Sequence, residues 1–375
     1  MTDKPTISSA IKSTMDLRQQ VGQLMIMGFD GTSISDGLVR HIKHASPGGI
    51  ILFARNLISV DQSQILLNDL QKTATLPMFK CIDLEGGTVD RFKNILAPSP
   101  SAEEVFATGR KDLYEKHGAL LGMCAFSLGF NTDFAPVSDI GFAVSKPVLT
   151  SRTVSVDPES TVAYVKSFLS GLQKLVLGCG KHFPGLGEGN LDSHHQLPVI
   201  KKSMAKLWAQ DLLPYLKLHE KFPFIMVAHA AYPAVTKDKT PASLSKKWMT
   251  GILRKKIGYE GIILADDLEM GGVLTAGSIG EVAVETLAAG ADMFLVCHKQ
   301  EAVEQAFEAV VMEAERSRAF RKLVELKATR VLQKKKRAPQ MKLAAPFSNQ
   351  SRIAALKQTI TQFRDEVENA RAVRS

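Results

Sequence analysis

Cysteine is scarce: four residues, Cys81, Cys124, Cys179 and Cys297, are spread over 375, and none belongs to a CxxC pair. That spacing excludes a disulfide scaffold and a zinc knuckle. Three of the four fall in apolar runs, where a small buried thiol is ordinary. No uninterrupted apolar stretch approaches the ~20 residues of a membrane-spanning helix. The opening MTDKPTISSA also lacks the apolar core of a secretion signal, so a cytoplasmic location is expected. GxGxxG and comparable constellations are missing, as is a calcium-type loop of spaced carboxylates. Neither NAD nor pyridoxal phosphate is therefore expected, and no metal.

Charge is present in excess of one sign, with a net +9. Much of the surplus sits late in the chain, at Arg316, Arg318, Arg321, Lys322, Lys327, Arg330 and Lys334–Arg337. Without a helix-turn-helix pattern or interleaved aromatics, this cluster reads as a solvated helix face rather than a specific nucleic-acid site.

Hydrophobic residues make up 45% of the chain, enough for one large α/β barrel or two ordinary domains. Eight apolar runs of strand length occur at 21–29, 48–54, 76–83, 132–137, 174–179, 222–229, 261–267 and 291–297. Most are nearly continuous in Ile, Val, Leu and Phe, the pattern of parallel strands covered on both faces. Segments between them carry helical spacing. Ser59 or Asp61 is placed to cap a helix whose apolar face is Ile65, Leu66, Leu67 and Leu70, and Pro214 is expected to kink another. Strands alternating with crossover helices favour a single (β/α)8 TIM-type barrel, with a doubly wound sheet as the alternative. The barrel is expected over 12–338, followed over 339–375 by a linker and an amphipathic C-terminal helix with Ile353, Leu356, Ile360, Phe363 and Val367 on one face. That face would dock on the barrel or pair two copies, so a monomer and a homodimer both stay open.

Asp83, Lys181, His182, His229, Asp266 and Asp267 all fall at the carboxyl ends of expected strands, the ends that converge on one mouth in a barrel. The densest stretch is 181–198, KHFPGLGEGNLDSHHQLP, too rich in glycine to continue a strand or helix and suited to a loop at a strand end. In Asp192-Ser193-His194 an extended backbone turns the acid and the imidazole the same way, so Asp192 can orient His194 and raise its basicity. The adjacent Asp266 and Asp267 equally suit covalent chemistry or a cation.

KHFPG followed by G and DSH resembles the signature of the glycoside hydrolase family 3 β-N-acetylglucosaminidases, the NagZ-like enzymes, and the likeness extends over roughly residues 20–335. It implies removal of terminal β-linked N-acetylglucosamine from peptidoglycan-derived muropeptides, with retention, through a glycosyl-aspartate. GIILADDLEM resembles the nucleophile motif, which puts Asp266 in that role, and the resemblance makes the Asp192/His194 dyad the acid/base. It further implies sugar contacts by Asp83 and Arg91 of CIDLEGGTVDRF, Arg152 of LTSRTVSVDP, and the Lys181/His182 pair. The expected partner is a small carbohydrate or muropeptide, with no specific nucleic acid and no membrane insertion.

Departures from the family pattern are local. KHFPGLGE carries Leu186 where a histidine is usual and Glu188 where an aspartate is usual, and DLEGGTVDR differs at Leu84, Thr88 and Asp90. Two neighbouring readings therefore stand beside the main one. One expects a related family 3 β-glycosidase or phosphorylase; the other, in a different class, expects a catalytically weak sugar-binding protein or scaffold.

Overall fold

A computed structural model describes residues 15–189 and 196–374. Eight short parallel strands carry the architecture: β1 (Met25–Met27), β2 (Gly49–Ile51), β3 (Phe79–Ile82), β4 (Thr132–Asp133), β5 (Cys179–Phe183), β6 (Phe224–Val227), β7 (Ile262–Asp267) and β8 (Met293–Val296). They pair in the order β4-β3-β2-β1-β8-β7-β6-β5. Parallel bridges Thr132↔Leu177 and Val137↔Lys181 join the two ends, with Asp133 N donating to Leu177 O at 2.8 Å and Ser138 N to Lys181 O at 2.6 Å. The sheet is thus closed into a (β/α)8 TIM-type barrel, as expected, and closure removes the unpaired edges that a doubly wound sheet would keep.

The eight apolar runs all hold strands, but several boundaries move. In 21–29, Val21 and Gly22 end a helix, Leu17–Gly22, started by an Asp16/Gln19 capping box, and only Met25–Met27 is strand. Residues 174–176 finish the turn after helix Pro158–Leu172, with Leu175 N and Val176 N both reaching Leu172 O. The strand begins at Cys179 and carries on through Lys181 and His182. Glycine content misleads there because β6 and the 135–138 segment supply hydrogen-bond partners on both sides. Pro214 does more than kink a helix: Met204–Ala209 and Leu213–Leu218 are separate helices, with the proline in the first turn of the second. Ser59 caps Val60–Thr73 through Gln62 N. Leu66, Leu67 and Leu70 are buried there, while Ile65 is 60% exposed on the outer side.

The C-terminal helix, Gln350–Ala372, lies on the same barrel, over helices Ala102–Ala107 and Lys111–Ser127. Leu356, Ile360, Phe363 and Val367 are buried and Ile353 is partly so. At roughly 1.5–3 kcal/mol per fully buried large side chain, that stripe is ample to hold the helix down.

The basic cluster is not wholly a solvated face. Within helix Arg318–Arg337, Lys327 and Lys335 are buried, and Arg330 pairs with the buried Asp292, which also accepts from Arg254 at 2.6 Å. Lys335 Nζ donates to Gln23 Oε1 at 2.7 Å and sits 5.0 Å from the Phe79 ring centre. It therefore plugs the amino-terminal end of the barrel, where Gln23 precedes β1 and Phe79 opens β3. Burial pushes this amine down from 10.5 to about 7. Between those values the native chain binds fewer protons at the site than the unfolded chain, so stability rises with pH across the window. Relative to Lys335→Met, the wild type is expected to gain on the order of a few kcal/mol between pH 7 and 10.5. Urea unfolding of both proteins at the two limits checks this, and a pH-independent difference would refute it.

Candidate active site

The carboxyl ends of the strands open into a cavity of about 220 Å³. Asp83, Arg91, Arg152, Lys181, His182 and Asp266 all line it. The sequence places these residues on different strand ends and connections, and barrel closure brings them together. Asp192 and His194 lie outside the described residues.

Lys181 is the centre of one wall. Its position in β5 aims the side chain inward, leaving it 2% exposed. An ammonium in such a place needs countercharge and hydrogen bonds. Asp83 Oδ1 at 2.7 Å and Glu85 Oε1 at 2.6 Å supply both. Glu85 follows β3 in a short antiparallel hairpin, Leu84–Gly86 with Val89–Asp90, and also accepts a fork from Arg152, Nε to Oε2 at 2.7 Å and Nη2 to Oε1 at 2.9 Å. Burial works against ionisation of Glu85, but Arg152 and Lys181 outweigh it and hold the carboxyl far below its usual range. In the same way burial alone would lower the Lys181 amine, yet Asp83 and Glu85 carry it above its ordinary value. Two cations and two anions thus form a charge-balanced, pre-set row facing the cavity, with one Lys181 proton left to donate.

His182 is held from behind. Its Nδ1 lies 2.8 Å from Asp139 Oδ2, and Asp139 also accepts from His182 N at 3.2 Å and Leu186 N at 2.7 Å. A carboxylate opposite Nδ1 keeps a proton on that nitrogen and turns Nε2 to the cavity, 3.5 Å from Arg152 Nη2. The adjoining Leu186, the main departure from the family pattern, is 9% exposed and forms part of the apolar wall.

Opposite, β7 ends in two carboxylates with different environments. Asp266 lines the cavity and accepts from Asp267 N at 2.9 Å. Burial disfavours its charge, but His182, His229 and that backbone N–H more than compensate, so the carboxyl stays below its ordinary value and is ionised at neutral pH. Asp267 is pushed up to about 7, chiefly by burial and also by Glu269 and Asp266. It accepts from Glu269 N at 3.1 Å and Cys297 N at 3.2 Å, which ties the turn after β7 to the end of β8. An ionised carboxylate thus stands beside one whose charge burial disfavours. His229 bridges Ser243 Oγ at 2.6 Å and the Asp267 carbonyl at 2.9 Å, and so stiffens the wall. Arg91 stands over Phe53, 5.6 Å from the ring centre, and the Phe53 ring stacks on His298 at 5.4 Å.

Sequence reasoning left Glu85 and Asp139 without roles. Glu85 was legible as the nearest acid to Asp83. Asp139, two positions beyond the run 132–137, shows in sequence only as an acid near a strand end. Among the described residues there is no group of three or more His, Cys, Asp and Glu side chains arranged to hold a metal ion.

A family model described as the glycosyl hydrolase family 3 N-terminal domain matches residues 16–333. The chain is 33% identical over 287 residues to a β-hexosaminidase of Bordetella avium, covering 74% of this chain and 81% of that protein. A β-hexosaminidase of Idiomarina loihiensis is 33% identical over 294 residues, covering 77% and 88%. Among solved structures, a glycoside hydrolase family 3 β-N-acetylglucosaminidase from a Paenibacillus species is similar with a TM-score of 0.87 and 31% identity, over 93% of this chain and 69% of that one. NagZ from Neisseria gonorrhoeae is similar with a TM-score of 0.69 and 27% identity, over 83% and 98%.

Removing the Lys181 ammonium should strand Asp83 and Glu85 in a site built for a cation. Lys181→Met is therefore expected to destabilise the protein by about 3–5 kcal/mol, the usual consequence of breaking a buried pair. Urea denaturation at pH 7 reads this directly. A loss below about 1 kcal/mol, the range of an exposed pair, would mean that the row is not energetically coupled.

Proposed function

The chain belongs to glycoside hydrolase family 3, and on that premise we propose that it is a retaining exo-β-N-acetylglucosaminidase. Its substrates are peptidoglycan-derived muropeptides, and it works in the cytoplasm in wall recycling. The observation that carries the reading is the ionised Asp266 facing the Lys181–Glu85–Arg152 row across one cavity. The charged row and Asp83 offer fixed donors and acceptors to sugar hydroxyls, as a hydroxyl-rich ligand requires, while Asp266 approaches the anomeric carbon.

In the first step an Asp266 oxygen bonds to the anomeric carbon as the glycosidic C–O bond breaks, and the protonated His194 imidazole gives its proton to the departing oxygen. In the second, His194 takes a proton from water, the water oxygen bonds to the same carbon, and Asp266 leaves as carboxylate. Asp192 orients His194 and stabilises its charged form. Arg91 and His182 complete the sugar contacts, His182 through the ring nitrogen turned away from Asp139. Among the described residues no helix is long and apolar enough to cross a membrane.

Asp266→Ala is expected to abolish glycosyl transfer, and a slow 2-fluoro sugar should label Asp266 in intact-protein mass spectrometry. His194→Ala should lose about 10²–10⁴-fold on a poor leaving group. On a dinitrophenyl glycoside it should show a burst, because bond cleavage then needs little protonation while deglycosylation still needs the base. Labelling of another residue, or undiminished turnover by His194→Ala on the poor leaving group, would overturn the mechanism. Release of sugar 1-phosphate in phosphate buffer would replace hydrolysis by phosphorolysis, and tight sugar binding without turnover would leave a binding protein.

A further inference from the structure

We propose that the C-terminal helix is a positioning element for the Glu85–Arg152 side of the cavity, acting through a stack of Phe363 on His117 behind Gly86. Phe363 is buried on the inner stripe of that helix. Its ring lies on the imidazole of His117 with centres 5.8 Å apart and planes at 21°. His117, in helix Lys111–Ser127, is fully buried, and its Nδ1 meets the Tyr164 hydroxyl at 2.7 Å. Burial also pushes it down to about 3, so it acts as a neutral spacer at working pH.

On the far side of His117 stands the backbone that carries Glu85. A Cβ added at Gly86 would come within 3.2 Å of His117 Nε2 and 2.2 Å of the Pro100 carbonyl. At Gly87 it would meet Ser101 Cβ at 2.5 Å. With φ of +80° and +59°, these two glycines let the chain turn into that narrow space. The segment directly after Glu85 is thus seated against His117, Pro100 and Ser101, and has little room to shift unless they do.

Arg152, the partner of Glu85, is backed by the same layer. Its turn, Thr150–Arg152, packs on helix Ala102–Ala107, and Thr150 Oγ1 lies 3.2 Å from Thr88 Oγ1. That short helix is in turn held by the C-terminal one, through Arg371 with Glu104 at 3.6 Å and Arg374 Nη1 with the Ala107 carbonyl at 3.3 Å. Both halves of the Glu85–Arg152 pair therefore rest on elements that the C-terminal helix covers. Asp266 does not share this support: β7 is four strands from β3 in either direction around the ring of eight. Loosening the stack should disturb ground-state sugar contacts and spare the group that bonds to carbon. The side chains at a site keep their geometry only as well as the layer behind them does.

The inference rests on the hydrolase reading for its kinetic readout, so the test adds one that does not. Phe363→Ala, Phe363→Tyr and, as a control on the same helix, Leu356→Ala are compared by thermal melting, by KM and kcat on an aryl β-N-acetylglucosaminide, and by hydrogen–deuterium exchange. For Phe363→Ala we expect KM to rise roughly threefold to thirtyfold with kcat within about twofold. Faster exchange should appear over 84–88 and 150–153, with 262–268 unchanged. Phe363→Tyr should restore both, and Leu356→Ala should lower the melting temperature without raising KM. Exchange changes confined to 350–372 and 111–127 would overturn the proposal, as would an equal KM rise in Leu356→Ala. If the wild type fails to cleave the glycoside, the hydrolase reading falls, and the exchange comparison still decides the role of the helix.

Discussion

A lysine ammonium with almost no access to water sits at the carboxyl end of β5, and the candidate site is built around keeping it charged. Lys181 tolerates burial because Asp83 and Glu85 reach it at 2.7 and 2.6 Å. Glu85 in turn stays ionised because Arg152 forks onto both of its oxygens and Lys181 adds a second positive charge. Each member would be costly to bury alone. The hairpin after β3, the turn at 150–152 and β5 are therefore bound into one geometry. Order in the cavity wall follows from electrostatic necessity, and a substrate finds the donors already aimed.

The opposite wall solves a different problem with the same barrel. Asp266 and Asp267 are neighbours in sequence, and two buried negative charges so close would repel. Their environments separate them: histidines and a backbone N–H hold Asp266 ionised, whereas Asp267 titrates near 7 while receiving N–H bonds from the next turn and from β8. Both carboxylates line the cavity, and what separates them is the set of charges and N–H groups around each.

The two ends of the barrel divide the labour. The carboxyl end gathers balanced charge into an open cavity. The amino end is closed by Lys335 reaching from the last barrel helix to Gln23, a polar group whose charge is disfavoured by its own burial. The helix that follows runs back over Lys111–Ser127 and joins the layer beneath the carboxyl end, so residues beyond the barrel still bear on its mouth.

Local physical signals were enough to announce much of this from the chain alone. Eight nearly continuous apolar runs require strands covered on both faces, and helical spacing between them leaves few folds to choose from. KHFPG, GIILADD and CIDLEGG name residues whose chemistry and family likeness hold together. Ser59 capped its helix because an N-cap is decided within four residues, and Pro214 interrupted its own for an equally local reason. Non-local facts escaped. Lys181 and His182 lie inside a strand because neighbours 40 or more positions away supply hydrogen bonds, and no glycine count can report that. Glu85 and Asp139 acquire their work only when closure brings β3, β4 and β5 side by side. Lys327 and Lys335 look like surface charge until helix Arg318–Arg337 is laid on the barrel and buries them. Residue type and spacing decide which groups are available, and three-dimensional closure decides which of them meet, because the energy of a buried charge depends on partners that the sequence keeps far apart.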